Sequence, residues 1–205
     1  KVIFAIDRAG FVGADGESHQ GVFDTSFLNS VVGLTVFAPS NFSELEAMFY
    51  LGIYKTQGAV AIRYPRGNEE IVSVKYDYNH ENYTVIGDES NKKCIVSYGR
   101  EFCESAKAYA ELDDVFLIKL NQIKPIDDTV CEHLKKCETV YFYEESIKSG
   151  SVGEIFASML IENDINVHFK HFGIDDEFVK QASVEHQLEH YNLDAKSIIK
   201  EVSNG

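Results

Sequence analysis

Short apolar runs alternate with a helical pattern along the first third of the chain. Three runs have the length and continuity of buried strands, namely residues 2–6, 34–38 and 59–64. Between the last two runs, apolar residues recur at the spacing of one helix face, namely Leu45, Met48, Phe49 and Ile53. Ser40 or Asn41 is the expected cap of that helix. Strand, helix and strand in this order predict parallel pairing.

A second unit with the same alternation follows a polar segment. Residues 69–92 have no sustained period, and we interpret them as a linker with one or two edge strands. Four further strands are predicted at 94–98, 115–120, 139–143 and 166–170, with helices at 102–112, 127–136 and 152–163. A last amphipathic helix carries Ala195, Ile198, Ile199 and Val202. The pattern predicts an open, mostly parallel α/β sheet, and domains at 1–68 and 93–205.

Composition narrows the class of protein. With 205 residues and 44% hydrophobic content, the chain can bury a core. No segment has the length of a membrane span or the pattern of a signal peptide, so we expect a cytoplasmic protein without a membrane partner. The net charge of −14 argues against a nucleic-acid partner. Since the chain begins with Lys1 and enters a strand at once, we interpret it as a fragment.

The arginines are concentrated in the first third of the chain, and the cysteines show no pairing motif. Residues 1–68 are nearly neutral, yet they hold Arg8, Arg63 and Arg66, three of the four arginines. The planar guanidinium group suits phosphate and carboxylate better than an ammonium does, so an anion site is expected there. The four cysteines include no CxxC pair and lie in predicted core elements, which indicates reduced, buried thiols.

The segment after the first predicted strand is the main candidate for chemistry. Residues 7–24 combine repeated glycines with six charged or titratable side chains, namely Asp7, Arg8, Asp15, Glu17, His19 and Asp24. Glycines let a backbone approach a ligand closely. Composition alone leaves a binding loop and a polar connection equally open. Because residues 7–24 follow the carboxyl end of a predicted parallel strand, the binding loop is favoured.

The sequence of this loop resembles one family. DRAGFVGADGESHQGVFDTSFL, at residues 7–28, is similar to the acceptor-side loop of 1-deoxyxylulose-5-phosphate synthases, whose pattern is DRAG, a spacer, DG, THxG and FD. FAPSNFSELEAMFYLG, IRYPRGN, QIKPID and YEES follow in the family's order. Transketolases and the β subunits of 2-oxoacid dehydrogenases share the architecture, but not DRAG together with YPRGN.

The resemblance implies a fold and a reaction. Residues 1–68 would be the C-terminal part of a pyrimidine-binding domain of the thiamine diphosphate-binding fold. Residues 93–205 would be a transketolase C-terminal-type domain, mainly structural and involved in homodimer contacts. The parent enzyme would condense pyruvate with glyceraldehyde 3-phosphate, with loss of carbon dioxide, using thiamine diphosphate and Mg²⁺. Its product would feed isoprenoid, thiamine and pyridoxal synthesis.

The resemblance also implies roles for individual residues. Arg8 and Arg66 match arginines that hold the acceptor phosphate, with surface ion pairs as the alternative. Asp15 and His19 match residues that bind substrate on the path to the reacting carbon, where His19 would act catalytically at the aldehyde. A structural loop histidine is the alternative for His19. Asp24 is interpreted as a loop or cap residue, and Arg63 as a member of an ion pair or at a sheet edge.

The cofactor-binding segments of the family have no match in this sequence. There is no GDG segment followed by Asn, and the glutamate that contacts the aminopyrimidine ring precedes the strand at which this chain begins. We therefore expect the chain to be inactive alone. Two alternatives stay open, a C-terminal subunit of a split transketolase-like enzyme and a non-catalytic dimerisation or assembly domain.

One departure from the family pattern concerns residues 148–154. Relatives have a glycine-rich turn there, whereas this chain has KSGSVGE. Anion binding at the following helix start and a simple turn with a cap both stay open.

Overall fold

Every apolar run predicted as a strand lies in one of two sheets in the computed structural model, which describes residues 1–205. The strands are β1 (Ile3–Ile6), β2 (Leu34–Phe37), β3 (Ala59–Arg63), β4 (Tyr83–Ile86), β5 (Lys93–Tyr98), β6 (Val115–Leu120), β7 (Gln122–Lys124), β8 (Thr139–Ile147) and β9 (His168–Ile174). The helices are α1 (Asp24–Ser30), α2 (Phe42–Tyr54), α3 (Glu101–Tyr109), α4 (Cys131–Leu134), α5 (Val152–Glu162), α6 (Val184–His190) and α7 (Ala195–Asn204). Short 3-10 turns lie at Glu17–His19 and Asp128–Val130.

The first sheet has the order β1-β3-β2-β7. The pairs of β3 with β1 and with β2 are parallel, as the strand-helix-strand order predicts. Helix α2 begins after Asn41, whose side chain accepts a hydrogen bond from the Glu44 amide at 2.9 Å. That bond satisfies one free N–H group of the first helical turn, which confirms the predicted cap.

The second sheet has the order β4-β6-β5-β8-β9. Only β4 is antiparallel, and it is the edge strand that the linker interpretation allowed. The other three pairs are parallel, so the predicted mostly parallel α/β sheet is confirmed. Residues 64–82, between the two sheets, contain no helix or strand.

The two sheets share one core. A single hydrophobic cluster of 22 buried residues includes Val36 and Ala61 of the first sheet and Val96 and Phe142 of the second. All four cysteines are buried and free, as their placement predicted. No helix has both the length and the apolar character needed to cross a bilayer.

Strand β7 makes the two units structurally dependent. It follows β6 of the second sheet by one residue, yet it pairs antiparallel with β2 of the first. β7 thereby covers the edge of the first sheet at β2. The opposite edge, at β1, has no paired strand in this chain, and Phe4 there is 49% exposed.

A buried ion pair also joins the units. The Lys119 ammonium of β6 lies 2.9 Å from the Glu44 carboxylate of α2, and both side chains are almost fully buried. Glu44 also accepts hydrogen bonds from the Ser40 amide and hydroxyl and from the Tyr76 hydroxyl. Four donors thus compensate this carboxylate for its lost hydration.

Candidate functional site

The candidate site lies at the carboxyl ends of two neighbouring parallel strands. Arg8 follows β1 by two residues, and Arg66 follows β3 by three. The register pairs Ile6 with Arg63, so both following loops leave the same edge of the sheet. The Ala9 amide donates to the Tyr64 carbonyl at 3.0 Å, which holds the two loops together. Open α/β sheets bind ligands at such an edge.

Asp15 bridges the two arginines that the sequence singled out. Arg8 Nε donates to one Asp15 carboxylate oxygen and Arg66 Nη1 to the other, each at 3.0 Å. Both guanidinium groups stay accessible, with 41% of the Arg8 side chain and 51% of the Arg66 side chain exposed. Desolvation raises the pKa of the Asp15 carboxyl, but its bonds to Arg8 and Arg66 outweigh that effect and lower the pKa. The site is therefore a pair of cations that share Asp15, and Arg8 Nη1 also donates to the exposed Asp7 carboxylate at 2.6 Å.

His19 is not part of this cluster. It ends the short turn Glu17–His19, is exposed, and its Nδ1 atom lies 3.0 Å from the Ser18 hydroxyl. Asp15 bonds to the arginines and makes no hydrogen bond to His19. The structure thus brings Arg8, Asp15 and Arg66 together, and leaves His19 on the same loop without a bond to them.

Asp24 and Arg63 form a structural pair beneath the site. Arg63 Nε lies 2.8 Å from both carboxylate oxygens of Asp24, and both side chains are buried. The Arg63 guanidinium also donates to the Gly21 carbonyl at 3.0 Å. The ion pair expected for Arg63 is confirmed, although β3 is an interior strand and not a sheet edge. Asp24 is the first residue of α1 and makes this ion pair.

The loop between β1 and α1 is closed upon itself. Gly10 and Gly21 exchange two backbone hydrogen bonds, at 3.0 and 2.9 Å. Inside this closure, the Gln20 side chain bonds both the amide and the carbonyl of Val12. Arg8 adopts a left-handed backbone conformation with φ of 60°, which is uncommon for a residue with a side chain. These contacts fix the backbone that carries Arg8 and Asp15.

Two residues of the second unit contact this loop, and sequence reasoning missed their role. Glu145, at the end of β8, accepts a hydrogen bond from the Phe11 amide at 2.9 Å. Arg100 forms an ion pair with Glu145 and donates to the Phe11 carbonyl at 2.9 Å. Glu145 belongs to the YEES segment that carried part of the resemblance. A charged pair inside an otherwise apolar strand was the available signal, since such groups need buried partners.

The neighbouring Glu144 occupies the start of α5. Its carboxylate accepts hydrogen bonds from the Ser151 hydroxyl at 2.5 Å and the Gly153 amide at 3.0 Å. Tyr98 and His171 also bond to it, at 2.5 and 2.6 Å. Of the two alternatives left open for residues 148–154, this arrangement favours the turn and cap, because an internal carboxylate already fills the helix start.

The donor set of the site suits an anion. Among residues 1–205, no group of three or more His, Cys, Asp and Glu side chains is arranged to hold a metal ion. Mg²⁺ takes oxygen ligands, whereas the free groups here are guanidinium nitrogens and the Asp15 oxygens already accept from them. These residues do not fit a magnesium diphosphate.

Comparison with known proteins places both units in one superfamily. Residues 1–70 match the family described as "Transketolase, pyrimidine binding domain", and residues 82–198 match "Transketolase, C-terminal domain". The chain is 36% identical to the 1-deoxy-D-xylulose-5-phosphate synthase of Shouchella clausii, over 96% of this chain and 32% of that protein. It is 35% identical to that of Macrococcus caseolyticus, over 98% of this chain and 33% of that protein. The chain thus spans about a third of the length of these relatives.

Solved structures show the same fold at lower identity. A structure titled "Split gene transketolase, inactive beta4 tetramer" is similar with a TM-score of 0.81 and 21% identity, over 98% of this chain and 66% of that one. The transketolase of Campylobacter jejuni gives a TM-score of 0.73 at 12% identity, over 99% of this chain and 31% of that one.

Proposed function

This chain belongs to the transketolase family, and we propose that it is the acceptor-binding part of a thiamine diphosphate-dependent 1-deoxy-D-xylulose-5-phosphate synthase. The fold class predicted from the sequence is confirmed, because the two family matches follow in the expected order along the chain. The proposed reaction condenses pyruvate with glyceraldehyde 3-phosphate and releases carbon dioxide. Identity above 30% to two such synthases, over nearly the whole chain, supports this choice within the family.

The observation that carries the proposal is the convergence of Arg8 and Arg66 on Asp15. Two loops that are 58 residues apart in the sequence deliver two accessible guanidinium groups to the same carboxylate. A phosphate dianion offers three acceptor oxygens, so it can accept charge-assisted hydrogen bonds from both arginines at once. We assign Arg8 and Arg66 to the acceptor phosphate. Asp15 holds the two cations near each other before substrate binds.

His19 is assigned to the aldehyde end of the acceptor. It is exposed and lies on the loop that carries Arg8 and Asp15, four residues after Asp15. A histidine can donate or accept a proton near neutral pH, which suits orientation of the aldehyde oxygen as the new carbon–carbon bond forms. The proposed catalytic role of His19 and the substrate-binding roles of Arg8, Asp15 and Arg66 remain predictions.

The cofactors and assembly are also part of the proposal. Thiamine diphosphate supplies the carbanion chemistry in such enzymes, and the protein supplies binding and orientation. We propose that thiamine diphosphate and Mg²⁺ act in the assembled enzyme without ligands from the Arg8–Asp15–Arg66 cluster. We further propose a homodimer that works in the cytoplasm on small-molecule substrates.

Phosphate recognition can be tested on the 205-residue chain. Glycerol 3-phosphate, which lacks the reactive aldehyde, should shift the backbone amide resonances of residues 7–16, 64 and 66–68 in NMR spectra, and glycerol should not. Arg8→Ala and Arg66→Ala should each weaken glycerol 3-phosphate binding by about tenfold or more, since a bond to a charged group contributes about 1.5–3 kcal/mol. Lys135→Ala, which removes an exposed cation of the second unit whose ion-pair partner is Glu132, is the control. Binding that is insensitive to both arginine substitutions would remove the phosphate assignment.

A kinetic contrast tests the same assignment in the assembled enzyme. Arg8→Ala or Arg66→Ala should reduce transition-state stabilisation with glyceraldehyde 3-phosphate by about 2–4 kcal/mol, and far less with unphosphorylated glyceraldehyde. His19→Ala should lower turnover with both acceptors, because its proposed work is at the aldehyde. Equal losses on both acceptors for the arginine variants would count against a phosphate role.

The second candidate is a C-terminal subunit of a split enzyme. The similarity over 98% of this chain to a structure titled as a split gene transketolase favours it. In that case the chain, mixed with a separately expressed N-terminal subunit from the same genome, should gain synthase or transketolase activity. Activity with glycolaldehyde transfer but without pyruvate decarboxylation would select a transketolase over a synthase.

A further inference from the structure

We propose that the Arg100–Glu145 pair of the second unit positions the acceptor-phosphate loop. Both are positioning residues, because they act on the loop that carries Arg8 and Asp15. The inference rests on the proposed function of that loop. It gives the second unit, which the family resemblance treats as mainly structural, a part in acceptor binding through the loop that it holds.

The pair clamps a single peptide segment of the loop. Glu145 accepts from the Phe11 amide, and Arg100 Nη2 donates to the Phe11 carbonyl, both at 2.9 Å. Arg100 Nε donates to the other Glu145 oxygen at 2.9 Å. Only 11% of the Arg100 side chain and 4% of the Glu145 side chain is exposed. Both polar groups of Phe11 are thus bonded by charged partners, shielded from water, which makes the bonds strong.

The chain at Gly10 is shaped for this contact. Gly10 has φ of +72°, and a Cβ built on it would overlap the Glu145 carboxylate. A glycine therefore allows the carboxylate to approach the loop backbone closely. Because Gly10 also exchanges two hydrogen bonds with Gly21, a displacement at Phe11 passes directly to both ends of the loop. Arg8 is two residues from this point.

The end of β8 makes further contacts with the other arm of the loop. The Ile147 amide and the Ser146 hydroxyl donate to the Val22 carbonyl, at 2.9 and 3.0 Å. Three consecutive residues, 145–147, therefore hold both arms of the loop. The ion pair is the part of this contact that a substitution can weaken without changing the strand backbone.

The geometry explains why the partner of Glu145 is an arginine. The guanidinium group bonds the carboxylate and the Phe11 carbonyl at the same time, because its donors form a fixed planar fork. A lysine ammonium can neutralise Glu145, but it offers no equivalent fork. Arg100→Lys therefore separates charge neutralisation from positioning.

The test compares three forms of the 205-residue chain with the native one. Arg100→Lys keeps the charge, Arg100→Gln/Glu145→Gln removes both charges together, and Lys170→Gln/Glu201→Gln removes a different ion pair of the second unit as a matched control. We expect the first two to bind glycerol 3-phosphate about tenfold more weakly than native, with the control unchanged. Hydrogen exchange at the Phe11 amide should accelerate in the first two, while amides of β5 and β6 keep their protection.

The outcomes separate this inference from the proposed function. Native affinity and native Phe11 exchange in Arg100→Lys would overturn the positioning role, while sensitivity to Arg8→Ala would leave the phosphate site intact. If Arg8→Ala and Arg66→Ala both leave the affinity for glycerol 3-phosphate unchanged, the assignment of the phosphate site is wrong, and the inference fails with it. If amides throughout the chain lose their protection from hydrogen exchange in the double variant, the result for Arg100→Lys alone tests the positioning role, since that variant leaves no unpaired buried charge.

Discussion

Replacing one member of the buried Lys119–Glu44 pair should destabilise the whole chain. Lys119→Met leaves the Glu44 carboxylate buried without its counterion. Breaking a buried ion pair in this way costs about 3–5 kcal/mol. Because Glu44 keeps hydrogen bonds from the Ser40 amide, the Ser40 hydroxyl and the Tyr76 hydroxyl, we expect a loss near the lower end, about 3 kcal/mol.

The reciprocal variant, Glu44→Gln, should lose less stability than Lys119→Met. Burial already lowers the pKa of Lys119, so without a carboxylate beside it the lysine can shed its proton and avoid the full cost of a buried charge. It keeps one bond, to the Asn121 side chain at 2.5 Å. The double variant Glu44→Gln/Lys119→Met should regain at least half of the stability lost in Lys119→Met, because no unpaired charge remains.

Urea unfolding followed by circular dichroism measures these differences. The ion pair joins α2 of the first unit to β6 of the second, so we expect one cooperative transition in the native chain and a shifted transition in Lys119→Met. Lys135→Met, at an exposed lysine, serves as the control. A loss below about 1 kcal/mol for Lys119→Met would mean that the pair is hydrated in solution, as surface ion pairs are.

Three further predictions concern other buried groups. Burial raises the pKa of the Glu101 carboxyl well above its ordinary 4.5, so this group takes up a proton on folding. The free energy of unfolding therefore falls as pH rises above 4.5. Glu101→Gln should raise the urea midpoint at pH 8 but not at pH 4. Gly10→Ala should lose about 1–3 kcal/mol in the same assay, because its φ of +72° is unfavourable with a Cβ, and Gly16→Ala, in open space, should not. Burial raises the pKa of Cys137 to about 11, so thiol labelling at pH 8 should be slow until urea unfolds the chain.

Seven of the nine strands could be predicted because they are continuous apolar runs, and β4 lies in the segment that was interpreted as a linker with one or two edge strands. The elements that were missed have weaker local signals. β7 has three residues, Gln122, Ile123 and Lys124, and the residues of β2 that pair with it are 85 and 88 positions away in the sequence, so nothing local indicates it. α1 and α6 are rich in polar residues, and packing against the rest of the chain stabilises them rather than a strong helical pattern.

The candidate site shows the same division. The resemblance selected Arg8, Asp15 and Arg66, and the structure brings these three side chains together. Sequence could not show that Asp15 bonds the arginines rather than standing beside His19, because side-chain partners depend on the folded loop. It also could not pair Glu145 with Arg100, since the two are 45 residues apart and neither has a local pattern that names its partner.

Strand β7 has a consequence for protein engineering by domain exchange. The two family matches invite a cut between residues 70 and 82, as if each half were a module that could be transplanted. If the second half were replaced by that of another protein, β2 would lose its partner β7. If the first half were moved into another protein, its β2 edge would be unpaired. A chimera should therefore carry residues 122–124 from the same parent as β2, since bare strand edges pair with other chains and aggregate.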